Sequence, residues 1–328
     1  IPEKNIVKFA AYISYFPGIL SGPIDRPKSF LRQLSISRQF DYDLAVQGCR
    51  QILWGLLKKM VVADNISSVI SSDIQSLPGS TLFIFAIFYS VQIYADFSGY
   101  SDMAIGVGKI LNLKSMNNFS MPYFSRNLAE FWKKWHISLT SWFTEYLYFS
   151  LGGNRCAKWR HLTNIMIVFL ISGLWHGSNW NYVLWGGFHG CLMILLVLGH
   201  SVKYRTIISE NRVFPSAKEC GQMFFTFIVA TIGWILFRYE NFNDLGFVLS
   251  SIFSSSIIAY PSGSVLLWYP ALFTVIMFLV EWFGRYEDDY SFMNLIRSHY
   301  LRKIVYILLL LLIVYYQGVS SDFIYFKF

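Results

Sequence analysis

The chain has 328 residues, 55% of them hydrophobic and 14% charged, with 27 Lys and Arg against 19 Asp and Glu for a net charge of +8. A typical soluble domain carries roughly 25% charged residues, so this chain lacks the charged surface that a water-facing protein of its size needs. The positive excess does not point to nucleic acid, because the Lys and Arg cluster between apolar runs, where the positive-inside rule puts them in a membrane protein.

The chain opens on IPEKN, without Met and without a charged-apolar-small leader pattern, and the expectation is that the natural protein begins earlier. Residues 6–20 form a short apolar segment, and Pro17, Gly18, Gly22, Pro23 and Pro27 are expected to break any helix around it. Residues 41–62 read as an amphipathic helix containing Lys58 and Lys59, lying at the membrane interface or against the bundle. A loop at 76–81 leads into a spanning segment over 82–95.

Five runs contain no Asp, Glu, Lys or Arg: 74–95, 161–202, 220–237, 245–280 and 304–321. Since one crossing takes about 20 mostly apolar residues, they hold about five to seven crossings. The second and fourth are long enough for two segments each, with turns at HGSN (176–179) and YPSG (260–263). Aromatic residues at 19%, with 11 Trp, suit interfacial belts. The chain is expected to be an all-α, multi-pass membrane protein forming one membrane domain over 1–328.

YADFSGYSD (94–102) sets Asp96 and Asp102 beside an apolar helix. Intramembrane carboxylates are costly and default to a functional reading. Six residues apart, they stand about 240° around a helix and do not share a face. Two readings stay open: functional carboxylates, or partners of Arg and helix caps around a break at 98–101.

Over 127–155, apolar residues recur at steps of three and four, which predicts an amphipathic helix. Trp132 and Trp135 lie in its stripe, His136 at its edge, and Glu130 and Lys134 at i,i+4 on the polar side. LGGNR (151–155) stops it with glycines. A hairpin of two helices, about 162–175 and 180–200, follows. GxxxG spacings at Gly173–Gly177 and Gly186–Gly190 allow close approach. Basic residues at both ends (Arg155, Lys158, Arg160; Lys203, Arg205) put the tip, with His176, away from the cytoplasm. Residues 220–237 span. Residues 243–258 are expected to form a shallow or re-entrant helix, since a crossing there would carry the basic segment 285–303 outside. The last crossings are 265–282 and 303–319.

Of six histidines, His161, His200 and His299 read as interfacial, and His189 as a helix–helix hydrogen bonder. His136 and His176 differ, each being flanked by Trp in FWKKWHIS (131–138) and LWHGSNW (174–180). A buried imidazole has a donor and an acceptor nitrogen to satisfy. The spacing supports no metal site, the four Cys show no paired pattern, and no GxSxG marks a nucleophilic Ser.

YADFSGYSDMAIGVGKIL (94–111), NFSMPYFSRNLAEFWKKWHISLTSWFTEYLYFSLGGNR (118–155) and FLISGLWHGSNWNYVLWGGFHG (169–190) closely resemble the membrane-bound O-acyltransferase (MBOAT) family, in its bacterial alginate O-acetyltransferase-like branch. FPGILSGPIDRP (16–27) and GWILFRYENFND (233–244) fit as well. The resemblance implies a ring of tilted transmembrane helices, with amphipathic or re-entrant helices, around a central tunnel. It puts the family's active-site His on His176 and its second motif residue, His or Asn among relatives, on His136. Asp96, Asp102, Trp132, Trp135, Trp175 and Asn179 become supporting or tunnel residues. Where the branch has Arg-Asp before YLY, this chain has Thr144-Glu145, which removes the contact of that Arg.

The implied activity is O-acetyl transfer across a bacterial inner membrane to a hydroxyl of an exopolysaccharide or cell-wall polymer, or to an extracytoplasmic SGNH-type partner transferase. The donor would be acetyl-CoA or another acyl thioester, with its phosphates at loops 155–160 and 203–218 and with no bound cofactor. A close alternative is D-alanyl transfer from a carrier-protein thioester to teichoic acid. One of another class is a non-catalytic transporter or scaffold for a lipid-linked sugar.

Overall fold

The computed structural model describes residues 3–70, 73–199, 213–261, 268–285, 296 and 298–324. Helix α1 (Ile6–Ile13) starts at Asn5, whose side chain accepts the N–H groups of Val7 and Lys8. Helices α2 (Phe16–Ile19) and α3 (Pro27–Leu34) follow. Here the expectation is corrected. Pro17 and Pro27 open α2 and α3 rather than excluding helix, because the first turn needs no N–H from them.

Helix α4 (Tyr42–Leu56) is capped by Asp41 and runs on through a π-helical stretch, Leu57–Ala63, into α5 (Asp64–Val69). Helix α6 (Gly79–Ile110) is 32 residues long, about 48 Å, and passes through YADFSGYSD without the break considered at 98–101. Then come α7 (Leu128–Lys134), α8 (Ile137–Phe143) with a π turn at Thr144–Tyr148, α9 (Lys158–His176), α10 (Trp180–Leu198), α11 (Ala217–Arg238), α12 (Phe242–Ile252), α13 (Trp268–Phe283) and α14 (His299–Tyr316). No strand occurs among the described residues.

Helices α6, α10, α11 and α14 are long and apolar enough to cross a membrane, so the protein is all-α and polytopic. Helix α12 has 11 residues, about 16 Å against the ~30 Å hydrocarbon core, so it is the short helix expected at 243–258. The loop 203–218, the turn at 260–263 and the segment 285–303 lie partly, and His200 wholly, outside the described residues.

The chain forms two compact units, one within residues 1–68, 91–119 and 268–327 and the other within 69–90 and 120–267. In the first, Gly48 and Gly55 of α4 meet Gly106 and Gly99 of α6, so that a Cβ on any of the four would strike the facing carbonyl. Two glycines a heptad apart on each antiparallel helix make the kind of seam that small residues provide in membranes.

That seam carries the π-helical stretch against α6 and buries its lysines. Lys58 Nζ lies 3.0 Å from Asp102 Oδ2 and 2.8 Å from Glu281 Oε1 of α13. Lys59 Nζ lies 2.9 Å from Asp96 Oδ1 and 2.8 Å from Asp64 Oδ1. Gln51 donates to Asp102, Tyr94 to Glu281, and the Ile324 N–H to Asp96. Of the two readings of Asp96 and Asp102, ion pairing is the one observed, with lysines rather than arginines. The 41–62 helix is likewise corrected: Lys58 is buried inside the unit rather than set on a watery face.

In the second unit α9 and α10 form the expected hairpin. Gly173 sits against the Tyr182 carbonyl and Gly186 against the Phe169 carbonyl, so the GxxxG spacings mark the real contact. Helix α12 lays Leu245, Val248 and Ile252 on Leu82 and Ala86 of α6 and Ile235 of α11.

Candidate functional site

The predicted helix over 127–155 is in fact broken at His136. Helix α7 ends at Lys134 and α8 begins at Ile137, with His136 between them at φ 43° and ψ 55°. A left-handed residue bearing a Cβ costs roughly 1–2 kcal/mol. The cost is offset by capping: His136 Nδ1 accepts the Leu139 N–H at 3.3 Å, and its carbonyl accepts the Thr140 N–H at 2.9 Å. The bend turns the imidazole inward, where it is 5% exposed.

An acceptor at Nδ1 leaves the proton on Nε2, so His136 presents an N–H from its far edge. Burial outweighs the backbone hydrogen bond and holds its pKa down to about 3, and the ring is neutral at physiological pH. Upstream, α7 is clasped at Glu130, which accepts from Arg126 Nε at 3.1 Å and from Lys134 Nζ at 2.9 Å. Burial alone would raise the Glu130 carboxyl, but the Arg126 hydrogen bond and the Lys134 charge outweigh it and hold it below the usual value.

His176 is the last residue of α9 and is 4% exposed. Its ring stands edge-on to Trp175 at 5.0 Å, Trp185 at 5.2 Å and Phe237 at 5.2 Å. The His136 ring also meets Trp175 edge-on, at 6.3 Å. The two imidazoles, 40 residues apart in sequence, therefore share one indole, whose other side leaves Trp175 half-exposed.

The cage extends inward. Trp132 stands 4.9 Å from His189 and 5.5 Å from Trp185, while Trp135 packs on Trp234 at 4.7 Å and stacks on Phe131. His189 is fully buried against Gly233 of α11, which has no Cβ to displace it. The expectation of a helix–helix hydrogen bond from His189 is corrected. Among the described residues neither of its nitrogens has a hydrogen-bond partner, and the same holds for Trp132 Nε1 and Trp185 Nε1. Protein interiors satisfy roughly 90% or more of buried polar groups, so four such nitrogens in one cage are an unusual concentration.

His136, His176, Trp132, Trp135 and Trp175 thus come together. Asn179 does not join them: it is exposed and donates to Glu240 at 2.8 Å, tying the hairpin tip to the end of α11. Asp96 and Asp102 belong to the first unit and are held by its lysines. Thr144, in place of the branch's Arg, gives its hydroxyl to the Thr140 carbonyl. Among the described residues no group of His, Cys, Asp and Glu is arranged to hold a metal. Trp185, Trp234 and Phe237 were not anticipated. Trp234 and Phe237 sit one turn apart in GWILF, and an i,i+3 aromatic pair facing a histidine hairpin was the available signal.

The model of the MBOAT, membrane-bound O-acyltransferase family, matches residues 3–239. The chain belongs to the membrane-bound O-acyltransferase family. Over 254 residues it is 36% identical to the probable alginate O-acetylase of Pseudomonas putida, covering 76% of this chain and 50% of that protein. The peptidoglycan O-acetyltransferase of Helicobacter pylori is 32% identical over 247 residues, 74% of this chain and 45% of the relative. The teichoic acid D-alanyltransferase of Bacillus subtilis is 32% identical over 196 residues, 56% of this chain and 49% of the relative. The chain spans about half the length of the curated relatives it matches. Within the MBOAT match fall both tryptophan-flanked histidines and the whole cage.

Proposed function

We propose that the chain carries the acyl-transfer centre of a multi-pass O-acetyltransferase of a bacterial inner membrane. The acetyl group passes from a cytoplasmic thioester to a hydroxyl of an exopolysaccharide or cell-wall polymer, or to an extracytoplasmic SGNH-type partner. The observation that carries this reading is the shared indole: Trp175, next to His176 at the end of α9, also meets the ring of His136 from the break between α7 and α8, beside four unpartnered buried nitrogens.

In this reading His176 takes the hydroxyl proton as the oxygen attacks the thioester carbonyl. The tetrahedral oxyanion accepts the His136 Nε2–H. Its collapse breaks the carbon–sulfur bond, and the proton on His176 goes to the leaving thiolate. General-base help is worth roughly 10²–10⁴-fold, and a preorganised donor to the oxyanion adds most where water is excluded. Because both imidazoles are buried, substrates reach them past the half-exposed Trp175, at the wall of the expected passage.

The test is polymer acetylation in cells carrying His176→Ala or His136→Ala, with membrane-inserted protein quantified alongside. Acetylation lost at normal protein level supports the enzyme. Acetylation retained in both variants supports the scaffold and sinks the proposal.

A further inference from the structure

The first unit holds a polar chamber that the histidine chemistry does not use. It lies between α4 with its π-helical continuation, α6 and α13, and its volume is about 20 Å³, room for one water-sized occupant. Tyr94, Ser98, Ser101 and Asp102 reach it from α6 at steps of three and four, which is one face of a helix. Three oxygens on its wall have no hydrogen-bond partner: Gln51 Oε1, Ser98 Oγ and Glu281 Oε2. Their residues are 7%, 2% and 5% exposed, so water outside the protein does not serve them.

The three oxygens are held in place by what their neighbours do. Gln51 Nε2 donates to Asp102 Oδ1 at 3.0 Å, which turns the amide oxygen away from that carboxylate. Glu281 Oε1 takes both the Tyr94 hydroxyl and Lys58 Nζ at 2.8 Å, which leaves Oε2 as the free side of the carboxylate. A helical serine can give its hydroxyl to the carbonyl four residues back, and Ser90 of α6 does so, donating to Ala86 at 2.8 Å. Ser98 does not. Charge points the same way. Asp102 and Glu281 carry two negative charges against one positive charge on Lys58, and no other Lys, Arg, Asp or Glu lines the chamber. One negative charge is therefore in excess beside a helix long and apolar enough to cross a membrane, where an uncompensated charge is costly.

We propose that this chamber binds one monovalent metal cation, with Gln51 Oε1, Ser98 Oγ and Glu281 Oε2 among its ligands. Carboxylate, amide and hydroxyl oxygens are the ligands of hard cations. A single positive charge brings the cluster to neutrality, whereas a divalent ion would reverse its sign. Sodium and potassium share this chemistry. Such a site draws on neutral oxygens and one carboxylate, so it is distinct from the groups of His, Cys, Asp and Glu that hold transition metals, none of which occurs among the described residues. The ion joins α4, α6 and α13 at one point, next to the Lys58 pairs. A proton on Glu281 would also restore neutrality, and the experiment separates the two. The proposal does not depend on the acyl-transfer reading.

The experiment follows the melting temperature of the full chain in neutral detergent as sodium chloride or potassium chloride replaces choline chloride at constant ionic strength. Bound radioactive sodium or rubidium is counted alongside. Choline is too large for the chamber. The melting temperature is expected to rise and level off with sodium, potassium or both, because a ligand held only by the folded state stabilises it by mass action; the cation with the lower midpoint is the one the site prefers. Ser98→Ala removes an oxygen that makes no other bond, so the fold persists. Its midpoint is expected at about tenfold higher cation concentration or beyond, the usual cost of losing a group that supports a metal. Glu281→Gln keeps an oxygen for Tyr94 and Lys58 but cancels the excess charge, so the cation response should vanish. Ser90→Ala deletes a buried hydroxyl of α6 outside the chamber and should titrate as wild type. A melting temperature indifferent to both cations with no tracer retained overturns the proposal, and so does an undiminished response in Ser98→Ala or in Glu281→Gln. Stabilisation by acid that Glu281→Gln removes, with both cations inert, gives the excess charge to a proton and overturns it too. Binding is read without turnover, so inactive histidine variants leave the result intact.

Discussion

His136 Nδ1 accepts the backbone N–H of Leu139 at 3.3 Å while His136 itself stands at φ 43°. One ring thus caps α8 and fixes its own tautomer. Asparagine tolerates the left-handed region, caps helices and keeps an N–H donor. His136→Asn is therefore expected to insert normally and to keep measurable transfer. His136→Ala loses the cap, about 1 kcal/mol of stability, and loses the donor too, so its transfer falls well below that of the Asn variant. Side-by-side acetylation and melting measurements decide it. Equal activity in both variants would show that the Nε2–H does nothing.

His176→Ala should lower transfer by roughly 10²–10⁴-fold, the usual worth of a positioned base. Its burial among Trp175, Trp185 and Phe237 leaves only a small hole on truncation to Gln, so His176→Gln serves as the folded control. A Gln variant that transfers acetyl at the wild-type rate in purified protein excludes the base.

Lys58 is a buried counter-ion to two carboxylates. It faces Asp102 and Glu281 at 3.0 and 2.8 Å with its side chain 6% exposed. Lys58→Met leaves two buried carboxylates without their cation, and breaking a buried pair costs about 3–5 kcal/mol. The variant is expected to accumulate poorly and to melt far below wild type. Restoring charge balance with Asp102→Asn and Glu281→Gln should recover part of the loss, and thermal unfolding in detergent checks both.

Gly99 and Gly55 let α4 and α6 touch backbone to backbone. Gly99→Leu forces the helices apart and drags Lys58 from Asp102. Gly99→Ala asks for a smaller shift, against a contact that a Cβ already closes. Stability is expected to fall in the order Gly, Ala, Leu, read as melting temperatures of the three proteins.

Acid should destabilise the second unit, and His136 and Glu130 are two of the groups through which it acts. Burial holds His136 at about 3 against an ordinary 6.5. An unfolded chain therefore takes up a proton below about 6.5 that the folded one refuses, and stability drains as pH falls from there toward about 3. Glu130 is also depressed, so its share is present above 4.5 and is lost as pH drops through its folded value. His136→Asn should make the upper part of the profile shallower and Glu130→Gln only the lower part, in melting curves from about pH 8 to about pH 3.

Several features were legible because they are local. The α9–α10 hairpin follows from an uncharged run with a polar tip, and its glycine spacings located the contact. The short α12 followed from charge placement alone. The break at His136 was not legible, because the three- and four-residue apolar steps run straight through it. No Gly or Pro at 135–137 announces the left-handed turn.

Sequence alone determined that this chain is a helical membrane protein, and it singled out His136 and His176 as the histidines flanked by Trp, because hydropathy and motif are properties of neighbouring residues. Tertiary structure decided the rest. It paired Lys58 and Lys59 with carboxylates on α6, brought two histidines to one indole, and left nitrogens of His189, Trp132 and Trp185 without partners. The reason is physical: a buried charge or dipole is stabilised by whatever group the fold carries within about 3 Å of it, and sequence distance does not enter that energy.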